Sequence, residues 1–99
     1  MVINKNTEGA RLTLSVEGRL DTTTSPQLET ELKNSLDGVS ELVFDFEKLD
    51  YISSAGLRVL LSAQKAMNKQ GEMKVKNVKP DIMDIFDITG FVDILNIEE

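Results

Sequence analysis

Two adjacent serines, Ser53 and Ser54, stand where a short apolar segment runs into a helical pattern. A helix start offers backbone N–H groups without intrahelical acceptors and the positive end of the helix dipole. It therefore accommodates either a hydroxyl oxygen or a phosphoryl group. The small residues Ala55 and Gly56 keep the approach to these N–H groups open. From the local pattern, the serines are either a helix cap with a loop hydroxyl or a site of phosphorylation.

The side chains that most often perform catalysis are missing. The chain has no cysteine and no histidine, which removes thiol nucleophiles, thiolate metal ligands and the usual general base. An enzyme built on Ser54 would lack a Gly-x-Ser-x-Gly motif, and no Gly-rich phosphate loop with a following Lys-Ser/Thr is present. Asp45, Glu47 and Asp50 have no His or Cys beside them. We therefore expect no enzyme activity, no cofactor and no metal site.

The net charge limits the classes of partner, and the length limits the number of domains. Eleven Lys and Arg against 17 Asp and Glu give a formal net charge of −6 over 99 residues. Such a field repels phosphate backbones and anionic lipid surfaces, so neither nucleic acid nor a membrane is expected as a partner. No segment approaches the roughly 18 to 20 apolar residues that span a bilayer. The length fits one domain, residues 1–99, and we expect a cytoplasmic protein.

Hydrophobic periodicity predicts the order of the elements. Alternation over Ala10–Gly18 predicts a strand that forms an N-terminal hairpin with a shorter strand, Val2–Lys5. Further strands are predicted at Leu42–Phe46, Met73–Val78 and, weakly, Val92–Ile97, and helices from Thr24 or Ser25 to Gly38, from Gly56 to Gln70 and from Pro80 to Gly90. This order predicts an α/β fold, in which a mixed sheet of about four to five strands is covered by three to four helices.

Four segments, in this order and spacing, resemble the STAS domain family, specifically the stand-alone anti-sigma factor antagonists of bacteria. They are Gly18-Arg19-Leu20-Asp21, Leu42-Val43-Phe44-Asp45-Phe46, Tyr51-Ile52-Ser53-Ser54-Ala55-Gly56-Leu57 and Phe86-Asp87-Ile88-Thr89-Gly90-Phe91. The resemblance spans nearly the whole chain. It implies a single STAS-like domain over residues 1–99.

The resemblance implies a binding switch. In this family the unphosphorylated antagonist binds an anti-sigma factor that is also a serine kinase of the histidine-kinase-like ATPase type, and the sigma factor is released. Phosphorylation then ends the interaction, and a PP2C-type phosphatase is the second expected partner. The free protein is expected to be a monomer. The alternative is a STAS interaction module of a transporter-associated or stress complex that is not regulated by phosphorylation.

The resemblance also implies the site residues. The family acceptor is the serine two positions before the loop glycine, which is Ser54 here. Regulated members usually carry aspartate before the acceptor and Ser or Thr after it, whereas this chain has Ser53 and Ala55. Ser53 therefore remains an alternative acceptor. The expected partner-binding residues are Asp21, Thr22, Ser53, Ser54, Gly56, Leu57 and Arg58. Asp21 is the acidic companion of the acceptor or forms an Asx-type turn. Leu57 is core or contact, and Arg58 either binds a carboxylate or a phosphate or is a solvated surface arginine.

Overall fold

The computed structural model describes residues 1–98, which form six β-strands, three α-helices and one 3-10 helix. The strands are β1 (Val2–Glu8), β2 (Arg11–Leu20), β3 (Glu41–Asp45), β4 (Leu49–Ile52), β5 (Glu72–Lys76) and β6 (Ile97–Glu98). The helices are α1 (Ser25–Ser35), α2 (Ser54–Asn68), α3 (Pro80–Thr89) and the 3-10 helix Phe91–Asp93. The predicted α/β fold with an N-terminal hairpin is confirmed, with one strand more than the upper expectation.

The sheet is mixed. Its main order is β1-β2-β3-β5-β6, and β4 pairs with the end of β2. The pairing of β1 with β2 is antiparallel, and the pairings of β2 with β3 and β4, of β3 with β5 and of β5 with β6 are parallel. Leu42, Val43 and Phe44 of β3 are all buried. A continuous apolar run is typical of a parallel strand that has neighbours on both sides.

The core is one cluster formed by the sheet and the apolar faces of the helices. On β2, Leu12, Leu14 and Val16 are buried and the residues between them are not, as the period of two requires for a strand with one buried face. The helices contribute residues at intervals of three and four, among them Leu28 and Leu32 from α1, Leu57, Leu60 and Met67 from α2, and Ile82 and Phe86 from α3. The predicted helical faces therefore pack as expected.

Two regions differ from the sequence interpretation. The short apolar segment before the second helix, which the predicted order did not count as a separate strand, is β4; only two of its four residues, Leu49 and Ile52, are buried. Such a strand shows no alternation and forms because β2 supplies its hydrogen-bonding partner. The weak strand expected over Val92–Ile97 is wrong in its first part, which is the 3-10 helix and an exposed Ile94. Only Ile97–Glu98 pair with β5.

Several boundaries also shift by a few residues. β1 reaches Glu8 instead of Lys5, since backbone pairing with β2 continues through its exposed polar residues. β2 continues to Leu20, and α2 begins at Ser54 rather than Gly56. The predicted end of α3 at Gly90 is confirmed, and this glycine adopts the left-handed φ of 80° that favours glycine at a helix end. Within the described chain, no helix is both long and apolar enough to cross a membrane.

Candidate functional site

The ends of two parallel strands bring the predicted site residues together. β2 ends at Leu20 and β4 at Ile52, and these two residues are paired in register. The backbone N–H of Ser53 donates to the carbonyl oxygen of Leu20 at 2.9 Å. Because both strands end at the same edge, the turn that begins at Asp21 lies beside the turn that holds Ser53 and Ser54. This edge is where parallel α/β sheets commonly bind ligands and partners.

The two serines have different environments. Ser53 is the N-cap of α2, with extended backbone angles, and its half-buried side chain accepts a hydrogen bond from the Gly56 N–H at 3.4 Å. Ser54 is the first residue of the helix and is exposed. Among residues 1–98, no group is hydrogen-bonded to its hydroxyl. The cap and the free hydroxyl, which the sequence left as alternatives, are therefore two different residues.

The turn after β2 is closed by internal hydrogen bonds. One carboxylate oxygen of Asp21, Oδ1, accepts from the Thr23 N–H at 3.0 Å, the Thr24 N–H at 3.1 Å and the Thr24 hydroxyl at 3.2 Å. Thr24 is the N-cap residue of α1, but its hydroxyl accepts from the Asp21 N–H at 2.9 Å and from no N–H of the helix. The single hydroxyl proton is shared between the Arg19 carbonyl oxygen at 2.7 Å and Asp21 Oδ1. Hydrogen bonding from Thr24, then from Thr23, lowers the pKa of Asp21 below its usual value, and Arg19 adds to the effect.

A cross-strand pair beside this turn was missed by sequence reasoning. Arg19 on β2 and Tyr51 on β4 are register partners, and the guanidinium carbon lies 4.3 Å from the centre of the tyrosine ring. The same guanidinium approaches Asp21 Oδ2, with Nε at 3.6 Å. Cation–π stacking on Tyr51 therefore holds the Arg19 side chain against β4 and next to the Asp21 turn. Both residues lie in the quoted motifs, but only the pairing of β4 with β2 shows that they meet.

Two of the predicted contact residues, Gly56 and Leu57, are buried, and Leu57 is only 6% exposed. A Cβ added to Gly56 would lie 2.8 Å from Ile52 Cγ1 and 2.9 Å from the Leu20 carbonyl oxygen. The glycine therefore lets α2 pack tightly against the ends of β2 and β4. The close approach that the sequence suggested at this position is therefore made with Leu20 and Ile52 inside the protein.

The remaining predicted residues stay at the surface. Thr22 and Arg58 are exposed and, with Ala55, line a concavity of about 370 Å³ between the start of α1 and α2. Arg58 lies one helical turn after Ser54 and forms no ion pair with any carboxylate in residues 1–98. Asp21, Thr22, Ser53, Ser54 and Arg58 thus surround one end of α2.

Two of the three acidic residues considered as metal ligands, Asp45 and Asp50, form hydrogen bonds or ion pairs with other side chains or the backbone. Asp45 Oδ1 accepts from the Glu47 N–H at 3.1 Å and from Asn77 Nδ2 at 3.0 Å, which closes the turn after β3. Asp50 pairs with Lys79 at 2.9 Å. In the described part of the chain, no three His, Cys, Asp or Glu side chains come together as a metal site would require.

Comparison with known proteins finds the same family that the sequence motifs resemble. The family model of the STAS domain matches residues 2–99. A putative anti-sigma factor antagonist, BtrV of Bordetella bronchiseptica, is 41% identical over 81 residues, which are 80% of this chain and 70% of that protein. The anti-sigma-B factor antagonist of Staphylococcus aureus strain NCTC 8325 is 30% identical over 99 residues, with coverage of 98% and 92%.

Solved structures share the fold at lower identity. The anti-sigma factor antagonist SpoIIAA in its unphosphorylated form superposes with a TM-score of 0.79 at 15% identity, covering 99% of this chain and 88% of that one. The phosphorylated form of SpoIIAA, a Bacillus protein, gives a TM-score of 0.77 at 16% identity, covering 99% and 92%. At these identities the likeness concerns the fold alone.

Proposed function

The chain belongs to the STAS domain family, and we propose that it acts as an anti-sigma factor antagonist. In its unphosphorylated form it binds an anti-sigma factor serine kinase and releases the sigma factor; phosphorylation of Ser54 ends the binding. The names of the Bordetella and Staphylococcus relatives support the antagonist function. The observation that carries the switch is the exposed Ser54, whose hydroxyl has no partner in residues 1–98, at the start of α2.

Ser54 is a better acceptor than Ser53. A kinase must reach the hydroxyl oxygen, which attacks the γ-phosphorus of ATP while its proton passes to a base of the kinase and ADP leaves. The Ser53 oxygen is half-buried and accepts the Gly56 N–H, so its phosphorylation would disturb the cap. The Ser54 oxygen is exposed and can be modified with the helix start intact. SpoIIAA, a protein of the same fold, is known in a phosphorylated form, and this supports phosphorylation of the present chain.

The phosphate would act by charge at one edge of the molecule. A phosphoserine adds about −1.5 to −2 charges at neutral pH. The Asp21 turn lies beside the Ser53–Ser54 turn, so the added charge joins an existing carboxylate. Arg58, four residues after Ser54 on α2, is placed to pair with the phosphate in the favourable i,i+4 direction. The switch therefore changes the charge and the shape of the partner surface without requiring any change of fold.

The remaining partner assignments follow from this function. A PP2C-type phosphatase would restore the unphosphorylated form, and the free antagonist would be a monomer that works in the cytoplasm. The alternative, a STAS module in a transporter-associated or stress complex without phosphorylation, has no support from the two relatives named above, both of which are described as antagonists.

The binding switch is tested with the purified anti-sigma factor kinases of the host. We expect Ser54→Asp to weaken the binding of the partner kinase at least about tenfold and Ser54→Ala to bind like the wild type. The matched control is Ser40→Asp, the same change at an exposed serine that precedes β3, at the opposite end of the parallel strands. Equal binding of Ser54→Asp and Ser40→Asp would contradict the switch.

A further inference from the structure

The exposed face of α2 is positively charged in a protein with a net charge of −6. The helix contains Arg58 and Lys65 and no acidic residue, and Lys69 follows as its C-cap. At 100° per residue, these three cations and Ser54 fall within an arc of about 60°. We refer to Arg58, Lys65 and Lys69 as the α2 stripe.

The stripe is unlike most other cations of the chain. Six of the eleven Lys and Arg residues pair with carboxylates: Lys5, Arg11, Arg19, Lys33, Lys74 and Lys79. Within residues 1–98, no ion pair neutralises the α2 stripe, so three of the five unpaired cations share a single helix face. An unneutralised cluster of this kind attracts an acidic partner and accelerates its association.

A groove runs beside the stripe, between α1 and α2. It consists of a depression of about 350 Å³ with a mainly apolar floor and the concavity of about 370 Å³ next to Ser54. The two share Glu29, Val59 and Ser62, so they form one continuous surface. The floor of the depression is formed by Leu32, Leu36, Val59, Ala63 and Ala66. From Ala55 to Ala66 the groove is about 16 Å long, which is roughly three turns of a helix.

We propose that this groove receives an acidic amphipathic helix of the anti-sigma factor. Its apolar side chains would lie on the floor, and its carboxylates would face the α2 stripe. The small side chains Ala55, Ser62 and Ala66 allow a second helix to approach closely. The rim formed by α1 is electrically balanced, because Glu29 pairs with Lys33 at 3.5 Å. The acidic residues of the docked helix therefore lie on the side of α2. This inference rests on the proposed function, because it names the contact element of the same partner.

The same arrangement explains how one phosphate ends the binding. Ser54 lies at the amino end of the stripe, so a phosphate there repels the carboxylates of the docked helix directly. It also pairs with Arg58 and removes that cation from the stripe. A single modification thus offsets about half to two thirds of the positive charge of the surface that the partner recognises.

The test measures the affinity of the host kinase that binds the wild-type chain. We expect the double variant Lys65→Gln, Lys69→Gln to bind about tenfold more weakly, with a smaller dependence on salt. The matched control, Lys48→Gln, Lys76→Gln, removes the same charge from lysines outside α2 that form no ion pair within residues 1–98, and it should bind within about twofold of the wild type. A third variant, Ala66→Phe, fills the floor of the groove and should also weaken binding.

The possible results separate this inference from the proposed function. If the stripe and groove variants bind like the control while Ser54→Asp still dissociates the complex, the docking surface is wrong and the antagonist function stands. If the stripe variant is weakened but Ala66→Phe is not, a helix in the groove is wrong. If no anti-sigma factor of the host binds the wild-type chain, the proposed function fails and this inference fails with it.

Discussion

The turns after β2 and β4 lie side by side at the same edge of the sheet, but they use their polar groups differently. In the first turn, Asp21 Oδ1 accepts three hydrogen bonds, and the Thr24 hydroxyl also donates to a backbone carbonyl. In the second, Ser53 forms one long cap hydrogen bond and Ser54 is exposed. The polar side chains of the first turn are therefore used in internal hydrogen bonds, whereas the second turn leaves one hydroxyl exposed to solvent.

The difference shows how the edge can be both rigid and reactive. The Asp21 turn satisfies its own hydrogen-bonding groups, so it provides a fixed carboxylate beside the serines. The Ser53–Ser54 turn divides its two hydroxyls between structure and chemistry. A residue type alone therefore does not indicate a role at this edge, and the hydrogen-bond partners of each side chain do.

The largest expected effect comes from Gly56→Ala, which separates the two turns. The new Cβ would lie within 3.0 Å of the Leu20 backbone oxygen and of two side-chain atoms, and overpacking of this kind costs about 1 to 3 kcal/mol. The gain in helix propensity offsets up to about 1 kcal/mol of that cost. We expect a net loss of stability in urea denaturation. A variant as stable as the wild type would show that the two turns are not held by this contact.

A smaller effect should distinguish the two serines. Ser53→Ala removes the cap of α2 and should lower the free energy of unfolding by about 0.5 to 1 kcal/mol, because the hydrogen bond is long. Ser54→Ala should change it by less than about 0.5 kcal/mol, as at an ordinary surface position. Thermal or urea denaturation of both variants measures the difference. An equal loss in both would remove the distinction between a structural and a free hydroxyl.

The smallest effect concerns the charge of Asp21. Hydrogen bonds from the Thr24 and Thr23 N–H groups lower the pKa of this carboxyl in the folded state. Its contribution is therefore present above the pKa of the unfolded chain, near 4, and is lost as the pH falls through the folded value. We expect Asp21→Asn to melt slightly below the wild type at pH 7 and the two to converge below about pH 4. A constant difference across this range would show that the charge does not support the turn.

The sequence predicted the parts of the fold that have a clear period. The helical spacing of Leu28 and Leu32, and the alternation of Leu12, Leu14 and Val16, correspond to buried faces. The strand β4 was not predicted because it has four residues, no alternation and a partner that is distant in sequence. The strand predicted over Val92–Ile97 was wrong in most of its length, since Ile97 alone of these residues pairs with β5, and Glu98 follows it in the strand.

The site was predicted less completely than the fold. The motif located Ser53, Ser54 and Asp21, but the roles of the two serines depend on where α2 begins. The sequence placed that start two residues late, so Ser54 lay outside the predicted helix. Only when Ser54 is counted in the helix do Lys65 and Lys69 share a face with it. Residue types locate a site, whereas helix phase and strand register decide which side chains reach solvent.

The central claim is that Ser54, and not Ser53, is the phosphoacceptor. The direct measurement is intact-protein mass spectrometry with site mapping, after the chain is incubated with ATP and the anti-sigma factor kinases of its host. We predict one phosphate on Ser54, its loss in Ser54→Ala and its retention in Ser53→Ala. A phosphate that persists in Ser54→Ala, or no phosphate with any of these kinases, would contradict the account.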